Sequence, residues 1–266
     1  MAKVAANPNI LKKRLQRFLQ LHHNPGRAQV NAICQRLLLL GPVYLFGGAV
    51  RDIALQGIRD FYGDLDFVVD CPPQKLASVI QQLSTEFKVK QNKFGGYRLF
   101  CDKWWLDIWP LEDTWAFKAN KIEFDSVSSL LQTTILNWDA AIYDLAQHQL
   151  IVSSDYFKQM QSGVLDLQLA ENPNPMGAIS RILRCILSKP VIYITADLQQ
   201  FLYNSLKQLD FAKLQAYEQS HNPQIYLNQI TQEKLLNWLT SPTELHPGKQ
   251  DLLYNSLSKT NLELTL

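Results

Sequence analysis

The stretch GGAVRDIALQGIRDFYGDLDFVVD, from Gly47 to Asp70, contains a glycine pair, an Arg-Asp pair and two aspartates one residue apart. The apolar run 65–69 predicts a buried strand, and Asp64 and Asp66 stand at its beginning. Side chains two residues apart in a strand point to the same face. Two ionised carboxylates placed side by side repel each other, and burial increases the repulsion. The stretch therefore predicts a positive charge that compensates both acids.

A divalent cation is the compensation that we expect, because the hard oxygen ligands of carboxylates suit Mg²⁺. A third acid, Asp107, lies in the apolar run 105–109, where an unpaired buried charge would be expensive. If the two strands are neighbours, Asp64, Asp66 and Asp107 converge and hold two metal ions about 4 Å apart. This arrangement predicts phosphoryl or nucleotidyl transfer. The alternative interpretation of Asp64 and Asp66 is an exposed acidic pair at the edge of a loop.

The glycine pair Gly47-Gly48 lies between a predicted strand, 43–46, and a predicted helix. Glycines in such a turn let backbone N–H groups approach a phosphate, and the helix N-terminus favours negative charge. Arg51, one turn into the helix, would add a charge-assisted fork to the same phosphate. The alternative is a tight turn with Arg51 on the surface or paired with Asp52.

Composition limits the class of protein. The chain has 266 residues, 47% hydrophobic residues and a net charge of +2, which predicts an ordered chain with one large domain or two small ones. It has no apolar run of about 18 residues that would span a membrane. It lacks a secretory signal, and its four cysteines are scattered. We therefore expect a cytoplasmic protein with reduced thiols and no zinc site.

The chain is predicted to have three parts. N-terminal helices occupy residues 1–40, and Asn24-Pro25-Gly26 is expected to separate the first helix from a second at 28–40. Alternating strands and helices form a head domain over 41–155, and a helical neck and C-terminal domain covers 156–266. The fold class is α+β followed by an all-α part.

Charge is distributed unevenly along the chain. No acidic residue precedes Asp52, whereas eight basic residues do. This asymmetry predicts contact with phosphates. The alternative is a solvated helix face whose charge the acidic remainder balances.

The pattern GG-x-V-R-D, then a glycine and D-x-D, resembles the head domain of class II CCA-adding enzymes and bacterial poly(A) polymerases, in the polymerase-β-like nucleotidyltransferase superfamily. The positions that match are Gly47, Gly48, Arg51, Asp52, Asp64 and Asp66. The segment 93–97, KFGGY, is similar to the one that precedes the third catalytic strand of that family. The resemblance implies a mixed sheet with helices, an all-α neck and body, and a third carboxylate at Asp107.

Two further segments resemble the family less closely. The family has an Arg-Arg-Asp-Phe-Thr-Ile-Asn-Ala block that contacts the nucleotide, and its counterpart here, 133–140, lacks the arginines. The resemblance implies nucleotide contacts for Thr133, Thr134 and Asn137, and the alternative is that they are ordinary turn residues.

Arg181 and Arg184 resemble the Arg-x-x-Arg of the family's neck helix, where an Asp–Arg pair reads the base of CTP or ATP. Their spacing puts both on one helix face. Gly177-Ala178 replace the acidic pair that precedes these arginines in the family. The alternative is that both arginines lie on a helix surface and pair with acids.

These patterns and the resemblance lead to one hypothesis: a Mg²⁺-dependent nucleotidyltransferase that moves a nucleoside monophosphate from an NTP to an acceptor hydroxyl and releases pyrophosphate. Asp64 and Asp66 would bind two ions, while Asp107 would complete one of them and act as the base or orient it. Gly47, Gly48 and Arg51 would hold the triphosphate.

The expected acceptor is an RNA 3′ end, such as that of tRNA, bound through the basic N-terminal and helical regions. A regulatory partner protein is left open. Two alternatives remain at this point. One is a toxin or regulatory nucleotidyltransferase that modifies RNA, a protein or a nucleotide. The other is a non-catalytic nucleotide- or RNA-binding protein that kept the acids.

Overall fold

The computed structural model describes residues 3–20, 24–59 and 61–240, and the backbone of 245–247. Residues 1–2, 21–23, 60, 241–244 and 248–266 belong to the three predicted parts but lie outside the described residues. The chain forms two compact units. The first contains residues up to 134 together with 138–158, and the second contains 135–137 together with the chain from 159 onward.

The first unit is built on a seven-stranded mixed sheet with the order β3-β4-β5-β2-β1-β6-β7. The strands are β1 (Val43–Phe46), β2 (Leu65–Val69), β3 (Lys88–Gln91), β4 (Tyr97–Phe100), β5 (Trp105–Pro110), β6 (Ala141–Asp144) and β7 (Gln149–Val152). Neighbouring strands are antiparallel except for β2 and β5, which run parallel. The mixed sheet confirms the predicted class of the head domain.

Helices cover one face of this sheet. They are α1 (Pro8–Gln20), α2 (Pro25–Leu38), α3 (Gly48–Gln56) and α4 (Pro73–Leu83). Alternate strand residues such as Leu45, Phe67 and Ile108 are fully buried on this face. Burial of these aliphatic and aromatic side chains is the main favourable term for packing helices against the sheet.

The opposite face is covered over part of its area by the segment between β5 and β6. That segment contains a short helix, α5 (Trp115–Lys118), and turns of 3₁₀ helix. Its Leu111 and Leu130 pack against strand residues that include Tyr44 and Val68.

The two N-terminal helices belong to the first unit together with the sheet, and the three-part division of the chain stays a prediction. Two of their arginines bond to the chain itself. The Arg14 guanidinium donates to the carbonyls of Ile53 and Ala54, at 3.2 and 2.7 Å, and Arg27 donates to the Ile58 carbonyl at 2.8 Å. These arginines satisfy carbonyls at and beyond the end of α3, where cations are favourable.

The second unit is mainly helical, as predicted. The helix α6 (Tyr156–Ser162) crosses the boundary between the units, and it is followed by α7 (Pro175–Ser188), α8 (Ala196–Gln208), α9 (Phe211–His221) and α10 (Gln232–Leu239). The unit also contains a small sheet that the sequence analysis missed, with the order β10-β9-β8. Its strands are β8 (Val164–Leu165), β9 (Tyr193–Thr195) and β10 (Leu245–Pro247).

Residues 135–137 pair with the start of the second unit. Leu136 forms a bridge with Leu167, and the Gln168 N–H donates to the Ile135 carbonyl at 2.9 Å. Asn137 accepts from the Asp166 N–H at 2.9 Å through its side-chain oxygen. Residues 135–137 are therefore held in place by residues that lie about thirty positions later in the chain.

The four cysteines, Cys34, Cys71, Cys101 and Cys185, are free and buried. In the part of the chain that the structure describes, no helix has the length and apolar character needed to cross a bilayer.

Candidate active site

The three predicted aspartates lie at one end of the sheet in the first unit. The strands β2 and β5 are neighbours, as the prediction requires, and their register places Asp66 opposite Asp107. Asp66 is also opposite Phe46, the last residue of β1, so the Gly47 turn follows directly beside it. Asp64 stands just before β2, with 45% of its side chain exposed.

A cation that the sequence analysis missed lies among these acids. Arg98 in β4 is opposite Asp107. Its Nε donates to Asp107 Oδ1 at 2.7 Å, and its Nη2 donates to Asp107 Oδ2 at 2.5 Å. The same Nη2 lies 3.4 Å from Asp64 Oδ2. The bond to Asp107 raises the pKa of Arg98 above its usual range. Asp107 therefore already has a compensating charge.

The predicted site for two metal ions does not fit this arrangement. Among the residues that the structure describes, no group of three or more His, Cys, Asp or Glu side chains is placed to hold an ion. Both oxygens of Asp107 are bonded to Arg98. Asp64 and Asp66 fit a single Mg²⁺ better, since that ion takes one or two carboxylates and completes its octahedron with phosphate oxygens and water.

The glycine pair forms the turn between β1 and α3, as predicted. Gly47 has φ +74° and ψ −135°, a conformation that side chains disfavour. A Cβ atom at Gly47 would lie 4.0 Å from Asp66 Oδ2, and one at Gly48 would lie 3.4 Å from Arg51 Nη2. The turn thus lies between the Asp66 carboxylate and the Arg51 guanidinium, and the lack of side chains at both glycines leaves space beside these groups.

Arg51 is held in a buried ion-pair network. Its Nε donates to Asp52 Oδ1 at 2.8 Å, and its Nη1 bonds Asp139 Oδ1. The exposed fractions of the three side chains are 12% for Arg51, 13% for Asp52 and 3% for Asp139. The Arg51–Asp52 pairing that the sequence left as an alternative is therefore present, and only 12% of the Arg51 side chain is exposed.

Asp139 is a second residue that the sequence analysis did not select. Its Oδ2 is buried and has no hydrogen-bond partner among the described residues. Nearby, the fully buried Tyr156 donates its hydroxyl to the Trp138 carbonyl at 3.1 Å. Burial, and secondarily the charge of Asp139, raise the pKa of Tyr156. The signal in the sequence was an acid within the apolar run 135–143, similar to the one that drew attention to Asp107.

Thr133, Thr134 and Asn137 make local bonds. The Thr133 hydroxyl donates to the Leu130 carbonyl at 2.8 Å, and Thr134 donates to Leu131 at 3.4 Å. These bonds favour the turn-residue interpretation of both threonines. Asn137, in the second unit, is 6% exposed and uses its side-chain amide and oxygen for partners within that unit. Nucleotide contact by the three residues stays a prediction.

Arg181 and Arg184 lie on α7 in the second unit. Arg184 donates to the Gln224 carbonyl and lies 3.4 Å from the fully buried Glu218. Arg184 therefore pairs with an acid, as the alternative interpretation of this residue expects. Arg181 is exposed and forms no ion pair among the described residues. A role of either arginine in base recognition stays a prediction.

Comparison with known proteins finds a similarity in the head region. Residues 43–168 match the family model described as the Poly A polymerase head domain. No curated protein sequence matches the chain.

Several solved structures share the fold. A Thermotoga maritima CCA-adding enzyme complexed with tRNA is 19% identical over 77% of this chain and 48% of its own, with a TM-score of 0.54. A CCA-adding enzyme with CTP is 18% identical over 80% of this chain and 50% of its own, with a TM-score of 0.52. A tRNA nucleotidyltransferase with a primer tRNA and an ATP analogue is 18% identical over 77% and 58%, with a TM-score of 0.50. The chain spans about half the length of these structures.

Proposed function

Because residues 43–168 match the family model of the Poly A polymerase head domain, we propose that the chain is a nucleotidyltransferase. It transfers the nucleoside monophosphate of an NTP to an acceptor hydroxyl and releases pyrophosphate. The observation that carries the proposal is the placement of Asp66 beside both the Gly47 turn and Asp107, with Asp64 exposed next to them. This combines carboxylates with a helix N-terminus, the two features that nucleotide phosphates and their counterions require.

Each group in the site has a proposed task. Asp64 and Asp66 would hold a divalent cation, which would supply charge neutralisation for the triphosphate and for the attacking hydroxyl. The Gly47-Gly48 turn gives the phosphates close access to the start of α3. Arg51 acts as a positioning residue, because Asp52 and Asp139 fix two of its nitrogens while Nη2 lies against Gly48. Positioning and charge stabilisation supply the catalysis.

We propose an RNA 3′ end, such as that of tRNA, as the acceptor. The structures with bound tRNA are one support. A second support is the edge of the sheet beyond Arg98. There the Nζ atoms of Lys88 and Lys90 lie 5.5 and 5.7 Å from the centre of the Phe100 ring. The ring centres of Trp105 and Phe100 are 5.2 Å apart, and Trp105 is 45% exposed. Exposed aromatic rings beside lysines favour single-stranded nucleic acid, whose bases stack while its phosphates pair.

The test is to incubate the protein with each labelled NTP, Mg²⁺ and total RNA, and to follow both pyrophosphate and the labelled product. We expect label at RNA 3′ ends, and we expect Asp64→Asn and Asp66→Asn to lower the rate at least a hundredfold. Asp70→Asn is the matched control, since Asp70 is an exposed acid at the other end of the same strand. Label on protein would favour the regulatory alternative. Nucleotide binding without pyrophosphate release from any acceptor would favour the non-catalytic one.

A further inference from the structure

We propose that Arg98 is an internal counter-cation, which competes with divalent metal ions for Asp107 and Asp64 and so sets the metal affinity of the site. The inference rests on the proposed function, because it concerns the same carboxylates. It departs from the expectation for this site, in which metal ions alone balance the three acids.

Two neighbouring strands fix the position of Arg98. The register of β4 and β5 places it directly opposite Asp107, and the guanidinium forms a fork with both carboxylate oxygens. Its Cζ also lies 5.3 Å from the centre of the Trp105 ring, in a cation–π contact. Bidentate pairs are among the strongest hydrogen-bonded contacts and constrain both partners. The sheet register and these contacts thus hold the Arg98 side chain in a fixed position within the site.

The charge of Arg98 is permanent at any working pH. An arginine guanidinium is not deprotonated in proteins. The guanidinium therefore leaves the carboxylates only by moving, since it does not lose its proton. A metal ion that uses Asp107 as a ligand must break two charge-assisted hydrogen bonds.

The contact with Asp64 is weaker than the contact with Asp107. The Arg98 Nη2 to Asp64 Oδ2 distance is 3.4 Å, and 45% of the Asp64 side chain is exposed. A metal ion that uses Asp64 as a ligand therefore replaces a longer Arg98 contact than one that uses Asp107, where two hydrogen bonds must break. Arg98 favours occupancy by one ion and disfavours a second.

The test measures metal binding in the absence of NTP and RNA. Terbium is the probe, because its luminescence is sensitised by nearby indole rings such as Trp105, and competition with Mg²⁺ and Mn²⁺ extends the measurement to those ions. We expect Arg98→Met to tighten terbium and Mn²⁺ binding at least about tenfold, since a unit positive charge is removed from within a few ångströms of the ion. The double variant Arg98→Met with Asp107→Asn should lose that gain.

Two controls separate this effect from a general change in charge or folding. Arg36→Met removes an arginine from an exposed ion pair with Glu86 and should leave metal affinity unchanged. Arg98→Gln provides a second variant of similar length if Arg98→Met does not fold, as judged by its melting curve. Metal affinity equal to wild type in either folded Arg98 variant would overturn the inference. Because no nucleotide is present, this outcome is independent of whether the protein transfers nucleotides at all.

Discussion

Arg51 joins two chain segments that are far apart in sequence, because its guanidinium bonds Asp52 on α3 and Asp139 before β6. We predict that Asp139→Asn, which keeps the shape but removes the charge, lowers the free energy of unfolding by about 3 kcal/mol. Urea unfolding measures the loss. Glu86→Gln is the comparison, since it breaks an ion pair in which both partners are well exposed, at 42% and 50%, and should cost no more than about 1 kcal/mol. Equal losses in the two variants would contradict the argument.

Tyr143 makes the stability of the first unit sensitive to alkaline pH. Burial, followed by the charge of Asp144, raises its pKa from 10 to about 12. The folded state therefore keeps a proton that the unfolded chain releases above its ordinary pKa. This stability is complete below about pH 10 and is lost as the pH rises to about 12, at roughly 1.4 kcal/mol per pH unit. Tyr143→Phe should show a shallower decline in unfolding free energy between pH 9.5 and 11, and an unchanged slope would refute the assignment.

For single residues, the sequence predicted the acidic side chains of the site but not the arginine that pairs with them. Asp64, Asp66 and Asp107 stand out because a carboxylate in an apolar strand is costly. Arg98 does not stand out, because an arginine in a short amphipathic strand is ordinary. Its role depends on the register between β4 and β5, which sets it opposite Asp107. Register is set by the hydrophobic pattern and the turn geometry together, and β4 has only four residues, one of them buried, so its pattern alone does not fix the register.

The helix α3 is flanked by two glycines with positive φ, Gly47 at +74° and Gly57 at +79°. Both Gly47→Ala and Gly57→Ala should destabilise the protein by about 1–3 kcal/mol, because alanine is strained in these conformations. Only the Gly47 methyl group would approach Asp66, at 4.0 Å from Oδ2. We therefore expect Gly47→Ala alone to weaken NTP binding, measured by calorimetry on variants matched for stability. Equal weakening in both variants would assign the effect to the helix rather than to the turn.

Elements were predicted well where the pattern had one interpretation. The apolar runs at 43–46 and 65–69 are strands with those limits, β1 and β2. The second helix begins at Pro25 and not near 28, because Asn24 caps it by accepting from the Arg27 N–H and proline suits the first helical turn. Asn-Pro is typical both of a turn and of a helix start, and tertiary contacts decide between them. The strands β8 and β9 span only two and three residues, too few for a period to be recognised.

The division into two units has a consequence for where the chain can be cut. Residues 135–137 bond to 159–168, through the Leu136–Leu167 bridge and the bonds of Asn137 to Gln159, Val164 and Asp166. A fragment ending at 158 would leave these backbone and amide groups unpaired, which is costly when they are buried. We predict that fragment 1–168 is more resistant to proteolysis and melts at a higher temperature than fragment 1–158. Indistinguishable fragments would show that the pairing contributes little.

The buried cysteines allow the local opening of each unit to be measured by thiol labelling. Cys34 and Cys101 lie in the first unit and Cys185 in the second, all shielded from solvent. Burial raises the pKa of Cys34 and brings that of Cys101 to about 11, so both thiols react slowly with an electrophile while they stay buried. Under native conditions, thiol labelling must therefore wait for local opening. Mass spectrometry of the labelled peptides would measure the rates of local opening in the first and second units separately, without introducing a foreign reporter.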